Sequence, residues 1–142
     1  MNKKLYLAYL PAAAWMVVIF LFSSQTADES TTVSDFFTNI IFGEILEQLT
    51  VIIRKSAHFI EYFILGAAVY IPTRRIFKGK RTVLPSLGWC AFYAATDEFH
   101  QLFVEGRAGR ITDVLIDSCG AALGIAVCVI VFALWGKRRL SQ

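Results

Sequence analysis

The sequence lacks a disulfide framework, an internal repeat and any low-complexity tract. Its three cysteines, Cys90, Cys119 and Cys128, all sit inside apolar blocks, and an odd count leaves one without a mate, so they read as small core residues. Charge is also scarce. Only 18% of the residues are Asp, Glu, Lys or Arg, against 56% hydrophobic, and the mean hydropathy is +0.57. A soluble domain of this length needs less apolar material and carries more charge, so that class is excluded. At 142 residues the chain is one domain, and the apolar residues come in long blocks, which indicates a polytopic membrane protein.

What is present divides into four apolar runs. The first spans about residues 5–22 after a basic start and contains Pro11. A signal peptide would share that outline, but the core is long and the cleavage candidate after Ala27 has Gln25 where a small residue is wanted. The run therefore reads as a retained helix that ends in Ser23-Ser24-Gln25. Residues 26–50 form an outer segment. From Ser34 onward Phe36/Phe37, Ile40/Ile41, Ile45, Leu49 and Ile52/Ile53 recur at helical spacing opposite Asp35, Asn39, Glu44 and Glu47. This pattern fits an amphipathic helix on the outer side or an early extension of the second span, and both readings stay open. The remaining spans cover about residues 51–71, stopping at Pro72, then 83–104 and 111–135.

Charge orients the bundle. Lys3 and Lys4, the loop bases Arg74, Arg75, Lys78, Lys80 and Arg81, and Lys137, Arg138 and Arg139 make ten of the fourteen Lys and Arg, and none of the eleven acids shares those segments. Between hydrophobic spans, bases of this kind mark cytoplasmic loops, so no nucleic-acid partner is expected. Four crossings then place both termini inside and every acid in the outer half.

The polar residues of the spans gather at one level. Spacings of three and four put Arg54, His58 and Glu61 on one face of the second span, with Lys55 beside them. On the third span Tyr93, Asp97 and Gln101 share a face, with His100 at its edge and Glu98 turned aside. On the fourth, Asp113, Asp117, Gly120 and Gly124 share a face. With a rise of ~1.5 Å per residue, Asp97 and Asp117 fall roughly 10 Å below the outer ends of their helices. The loop Glu105–Arg110 hangs Arg107 and Arg110 over them, and Gly106 and Gly109 permit tight turning.

These residues resemble the VanZ-like membrane proteins. Arg54-Lys55-x-x-His58-Phe59-x-Glu61-Tyr62-x-x-Leu65-Gly66 looks like one family signature. Asp97-Glu98-x-His100-Gln101-x-Phe103-x-x-Gly106-Arg107, running into Asp113-x-x-x-Asp117-x-x-Gly120-x-x-x-Gly124, looks like the other. The family is named for a protein that lowers bacterial susceptibility to teicoplanin. The resemblance thus implies a bacterial cell-membrane location and a part in glycopeptide resistance or envelope lipid handling. Glu105 departs from the proline common before that Gly-Arg pair.

Three chemistries fit the polar level. An ion-pair lock is the plainest, since four bases (Arg54, Lys55, Arg107, Arg110) face five acids (Glu61, Asp97, Glu98, Asp113, Asp117). Yet interhelical polar contacts in membranes contribute only ~0.6 kcal/mol on average, whereas a central charge costs ~2.5–3.5 kcal/mol to insert. Stability alone is a poor reason for nine such groups. A binder of an anionic envelope ligand comes next: a membrane lipid, a lipid-linked precursor, or the carboxylate of a glycopeptide antibiotic. It would use Arg54, Lys55, Glu98, Gln101, Arg107, Arg110, Asp113 and Asp117. The third is an intramembrane hydrolase or transferase with His58, Glu61, Asp97 and His100 as catalytic candidates. No cofactor is required. A metal ion at His58, Glu61, Asp97 and His100 is compatible with their i, i+3 spacing, although Arg54 and Arg107 would compete for the acids. Ser56 or Ser24 with His58 and Asp97 lacks the surroundings of a nucleophile.

Overall fold

The computed structural model describes residues 3–25 and 46–140, and these form an all-α protein of four helices. They are α1 (Lys3–Ser23), α2 (Leu46–Thr73), α3 (Val83–Gln101) and α4 (Ile111–Leu140), with one 3₁₀ turn, Gly79–Thr82, leading into α3. Two of the apolar runs, Lys4–Ser23 and Ile111–Gly136, are long and apolar enough to cross a membrane. Their outer faces agree with that. Leu7, Leu10, Val17 and Phe22 on α1, and Ile130, Leu134 and Trp135 on α4, are all exposed. Apolar surface on that scale is foreign to a soluble monomer.

Several boundaries differ from those the sequence suggests. Helix α2 begins at Leu46 rather than near residue 51, so residues 46–53 of the apolar pattern belong to one helix with the span. The earlier part of the expected amphipathic helix, 34–45, lies outside the described residues. At its far end α2 carries Pro72 as its penultimate residue and stops at Thr73. Proline has no N–H to give the Ala68 carbonyl four residues back, and the helix ends one residue later. Helix α3 stops at Gln101, three residues before Val104. Phe103 and Val104 donate to the carbonyls of His100 and Gln101, at 2.9 and 3.2 Å, so the chain tightens to i→i−3 bonding. It then reverses at Gly106, whose φ of 72° suits glycine.

Helix α2 is the hub and packs on all three others. Its approach to α4 is set by small residues. A Cβ added at Gly120 or Gly124 would collide with the carbonyls of Phe59 or Phe63, and one at Gly66 with the carbonyl of Ala121. The Gly120-x-x-x-Gly124 face therefore seats a helix of the same chain. Between α1, α2 and α3 lies a core of Ala12, Ile19, Tyr62, Leu65, Val69, Cys90 and Ala94.

Helix α1 is fastened differently, by side-chain hydrogen bonds to the other helices. Trp15 Nε1 donates to the Glu61 carbonyl at 2.8 Å, the Tyr93 hydroxyl donates to the Met16 carbonyl at 2.6 Å, and the Tyr9 hydroxyl pairs with Thr73 Oγ1 at 3.0 Å. Trp15→Phe keeps most of the ring and deletes one donor. It should lower stability by about 0.5–1.5 kcal/mol, read as a lower unfolding temperature in detergent.

Candidate functional site

Where α2, α3 and α4 meet the loop after α3, the chain encloses a cavity of about 180 Å³. Four bases line it: Arg54 and Lys55 from the third turn of α2, and Arg107 and Arg110 from the loop. Glu98 and Gln101 of α3, Asp113 and Asp117 of α4, and His58 complete its polar lining, while Gly106, Ala108 and Ile116 supply the rest.

The acids of this cavity are not equivalent. Asp113 is taken by Lys55, whose Nζ donates to its Oδ1. Glu98 accepts the backbone N–H of Arg110 at 2.8 Å. This contact requires the loop to fold back onto α3, and Gly109 permits it by resting against the Glu98 carbonyl, where a Cβ would not fit. Asp117 is 1% exposed, and among the described residues neither carboxylate oxygen has a hydrogen-bond partner.

Arg107 is under strain of its own kind. Burial, reinforced by the neighbouring Arg54 charge, holds the Arg107 guanidinium below the usual arginine pKa range. Its Nε donates to the Gln25 carbonyl at 3.0 Å, which ties the loop to the end of α1 and fixes the plane of the guanidinium. Two guanidinium groups thus face a common space, and an anion placed between them would relieve their repulsion.

Deeper in the bundle is a second polar layer. Asp97 is 3% exposed, and among the described residues both its oxygens lack hydrogen-bond partners. The same holds for the hydroxyl of Tyr62 and for His58 Nδ1 and Glu61 Oε2, which approach each other to 3.4 Å. Glu61 and Asp97 do not line the cavity, and His58 belongs to both groups of residues.

The orientation of α3 differs from the expectation. Glu98, read as turned aside, faces the cavity. His100 stands apart from the cavity, against α1, with its ring 4.8 Å from that of Phe20 and Nε2 3.3 Å from Ser24 Oγ. The cause is the neighbour: α4 and the returning loop cover the Glu98 side of α3, while α1 covers the His100 side. Among the described residues no group of three or more His, Cys, Asp or Glu is placed to hold a metal ion. His58, Glu61, Asp97 and His100 are therefore not gathered as a metal site would need.

Ser23, Ser24 and Gln25 matter more than their sequence context suggested. Ser23 Oγ, fully buried, accepts from Gln101 Nε2 at 3.1 Å, and Ser24 and Gln25 meet His100 and Arg107. The signal available in the sequence was the abrupt change from an apolar run to three polar residues. Residues 8–132 match the family model described as VanZ/LLP1. No curated protein and no solved structure matches the chain.

Proposed function

The chain belongs to the VanZ/LLP1 family, and from that premise we propose a membrane protein of four crossings, with both termini cytoplasmic, whose outer end binds an anionic group of the cell envelope. The observation that carries this reading is the convergence of Arg54, Lys55, Arg107 and Arg110 on one cavity. Two of the acids there are already engaged, by Lys55 and by a backbone N–H. A phosphate or pyrophosphate of a lipid-linked precursor, or a carboxylate, matches that set of donors. Reduced susceptibility to teicoplanin-type glycopeptides then follows if the occupant is the antibiotic or the precursor it recognises.

The four crossings rest on the apolar surfaces of α1 and α4 and on the distribution of bases. In α2 and α3 the polar side chains turn toward one another, as intramembrane ionisable groups do. A catalytic reading has one observation in its favour. His58 lines the cavity while its Nδ1 approaches Glu61, the arrangement of a general base with an orienting carboxylate.

Titration of the purified protein with farnesyl pyrophosphate, farnesyl phosphate and farnesol, read as a shift in unfolding temperature, tests the binder. Stabilisation by the phosphates and none by the alcohol is the expected result; equal shifts, or none, would dismiss the pocket as an anion site. A parallel titration with teicoplanin separates the two occupants. His58→Gln and Asp97→Asn separate binding from chemistry. In a binder, cellular function falls only as far as affinity does. In an enzyme, function is lost while the farnesyl phosphate shift persists.

A further inference from the structure

Opposite the anion pocket, at the other end of the bundle, the chain forms a second cavity, larger at about 430 Å³. Arg74, Lys78 and Lys80 line it together with an apolar wall of Tyr70, Val129 and Phe132. Unlike the outer pocket, this one has no acid among the described residues that line it. No Asp or Glu occurs between Tyr62 and Thr96 or after Asp117, the two stretches that build the cavity.

These bases are held in place. The Arg74 guanidinium carbon sits 3.5 Å from the centroid of the Phe132 ring, a cation–π contact that joins the end of α2 to α4. Lys78 caps the start of the 3₁₀ turn and Lys80 is its second residue, after Gly79, which enters it at a φ of 61°. The turn is pinned by Thr82 Oγ1 donating to the Phe77 carbonyl at 2.9 Å, and by Ser86 Oγ donating to the Thr82 carbonyl at 2.9 Å. Positive charge is thus concentrated at the mouth of a cavity whose inner wall is apolar.

We propose that this cavity seats the phosphate of an anionic glycerophospholipid from the leaflet at this end of the bundle, with an acyl chain lying against Tyr70, Val129 and Phe132. Charge complementarity selects the head group, because no acid stands beside the three bases among the described residues that line the cavity. The apolar wall selects a lipid over a free anion. The inference rests on the proposal that α2 and α4 reach a bilayer surface here, but not on what fills the outer pocket.

The test is native mass spectrometry of the full chain from micelles containing equal amounts of phosphatidylglycerol and phosphatidylcholine. Phosphatidylglycerol should be retained selectively. With each base worth about a factor of five, Arg74→Ala/Lys78→Ala/Lys80→Ala should weaken retention roughly a hundredfold. Lys78→Ala/Lys80→Ala, both on exposed residues of the turn, should leave folding intact and weaken it at least roughly tenfold. Arg107→Ala should leave it unchanged. Equal retention of the two lipids overturns the proposal, as does indifference to the double variant, or displacement of the lipid by inorganic phosphate. Loss of the farnesyl phosphate shift with phosphatidylglycerol retention intact would remove the outer-pocket function and leave this one standing.

Discussion

Arg107→Ala is expected to weaken binding of farnesyl phosphate roughly tenfold to a hundredfold, the range set by losing one charge-assisted hydrogen-bonding partner. Arg107 is held in place within the cavity wall. Its Nε is anchored on the Gln25 carbonyl, and it stands close enough to Arg54 for the two charges to oppose each other. An anion lying between them gains from both, so its removal is felt twice: a donor is lost, and Arg54 is left to bind alone. Arg107→Lys should restore charge without the planar fork, and recover only part of the affinity. Lys55→Met, by contrast, should cost less, because Lys55 already spends its charge on Asp113. Isothermal titration of the three variants orders them. If Lys55→Met proves as damaging as Arg107→Ala, the anion sits against α2 and α4 rather than under the loop.

Gly124→Leu should abolish the folded protein. At this position an added Cβ would strike the Phe63 carbonyl and lie 3.3 Å from the Ala67 nitrogen, both of them backbone atoms of α2. Side chains can rotate away from an intrusion, but a helix backbone can yield only by moving whole. Overpacking typically costs about 1–3 kcal/mol, and separation of α2 from α4 would add the lost packing of Gly66 and Gly120. The measurement is the monodisperse fraction on size exclusion after mild detergent extraction. Gly88→Leu and Gly136→Leu are the matched controls, since a Cβ at either meets nothing within 4 Å. They should behave as the parent protein does. A folded Gly124→Leu with normal thermal stability would show that the α2–α4 contact is looser than its glycines imply.

The all-α architecture was legible because helical spacing alone collects Arg54, His58 and Glu61, or Asp113 and Asp117, on single faces. Their meeting was legible because charged groups in apolar helices have nowhere else to turn. The rotation of α3 was not. Spacing defines which residues share a face, but whether Glu98 or His100 looks into the cavity depends on which neighbour covers which side. That in turn depends on a loop that folds back through Gly109. The start of α2 was obscured for a related reason: an amphipathic surface helix and the exposed first turns of a long helix present the same alternation of apolar and polar residues. Ser23 read only as part of the polar run that ends α1, because its partner, Gln101, is 78 residues away.

The loop from Gly106 to Arg110 is fastened at both ends, through Arg107 to the end of α1 and through Arg110 to the Glu98 carboxylate, with Gly109 pressed on the Glu98 carbonyl between them. It belongs to the framework and does not act as a lid. An occupant therefore meets a vestibule already assembled, and the ordering entropy of the loop was spent when the protein folded. The kinetic signature is a single-exponential approach to equilibrium whose observed rate climbs linearly with ligand concentration, with no plateau from a closing step. Cutting the Arg110 tether with Glu98→Ala should introduce that plateau.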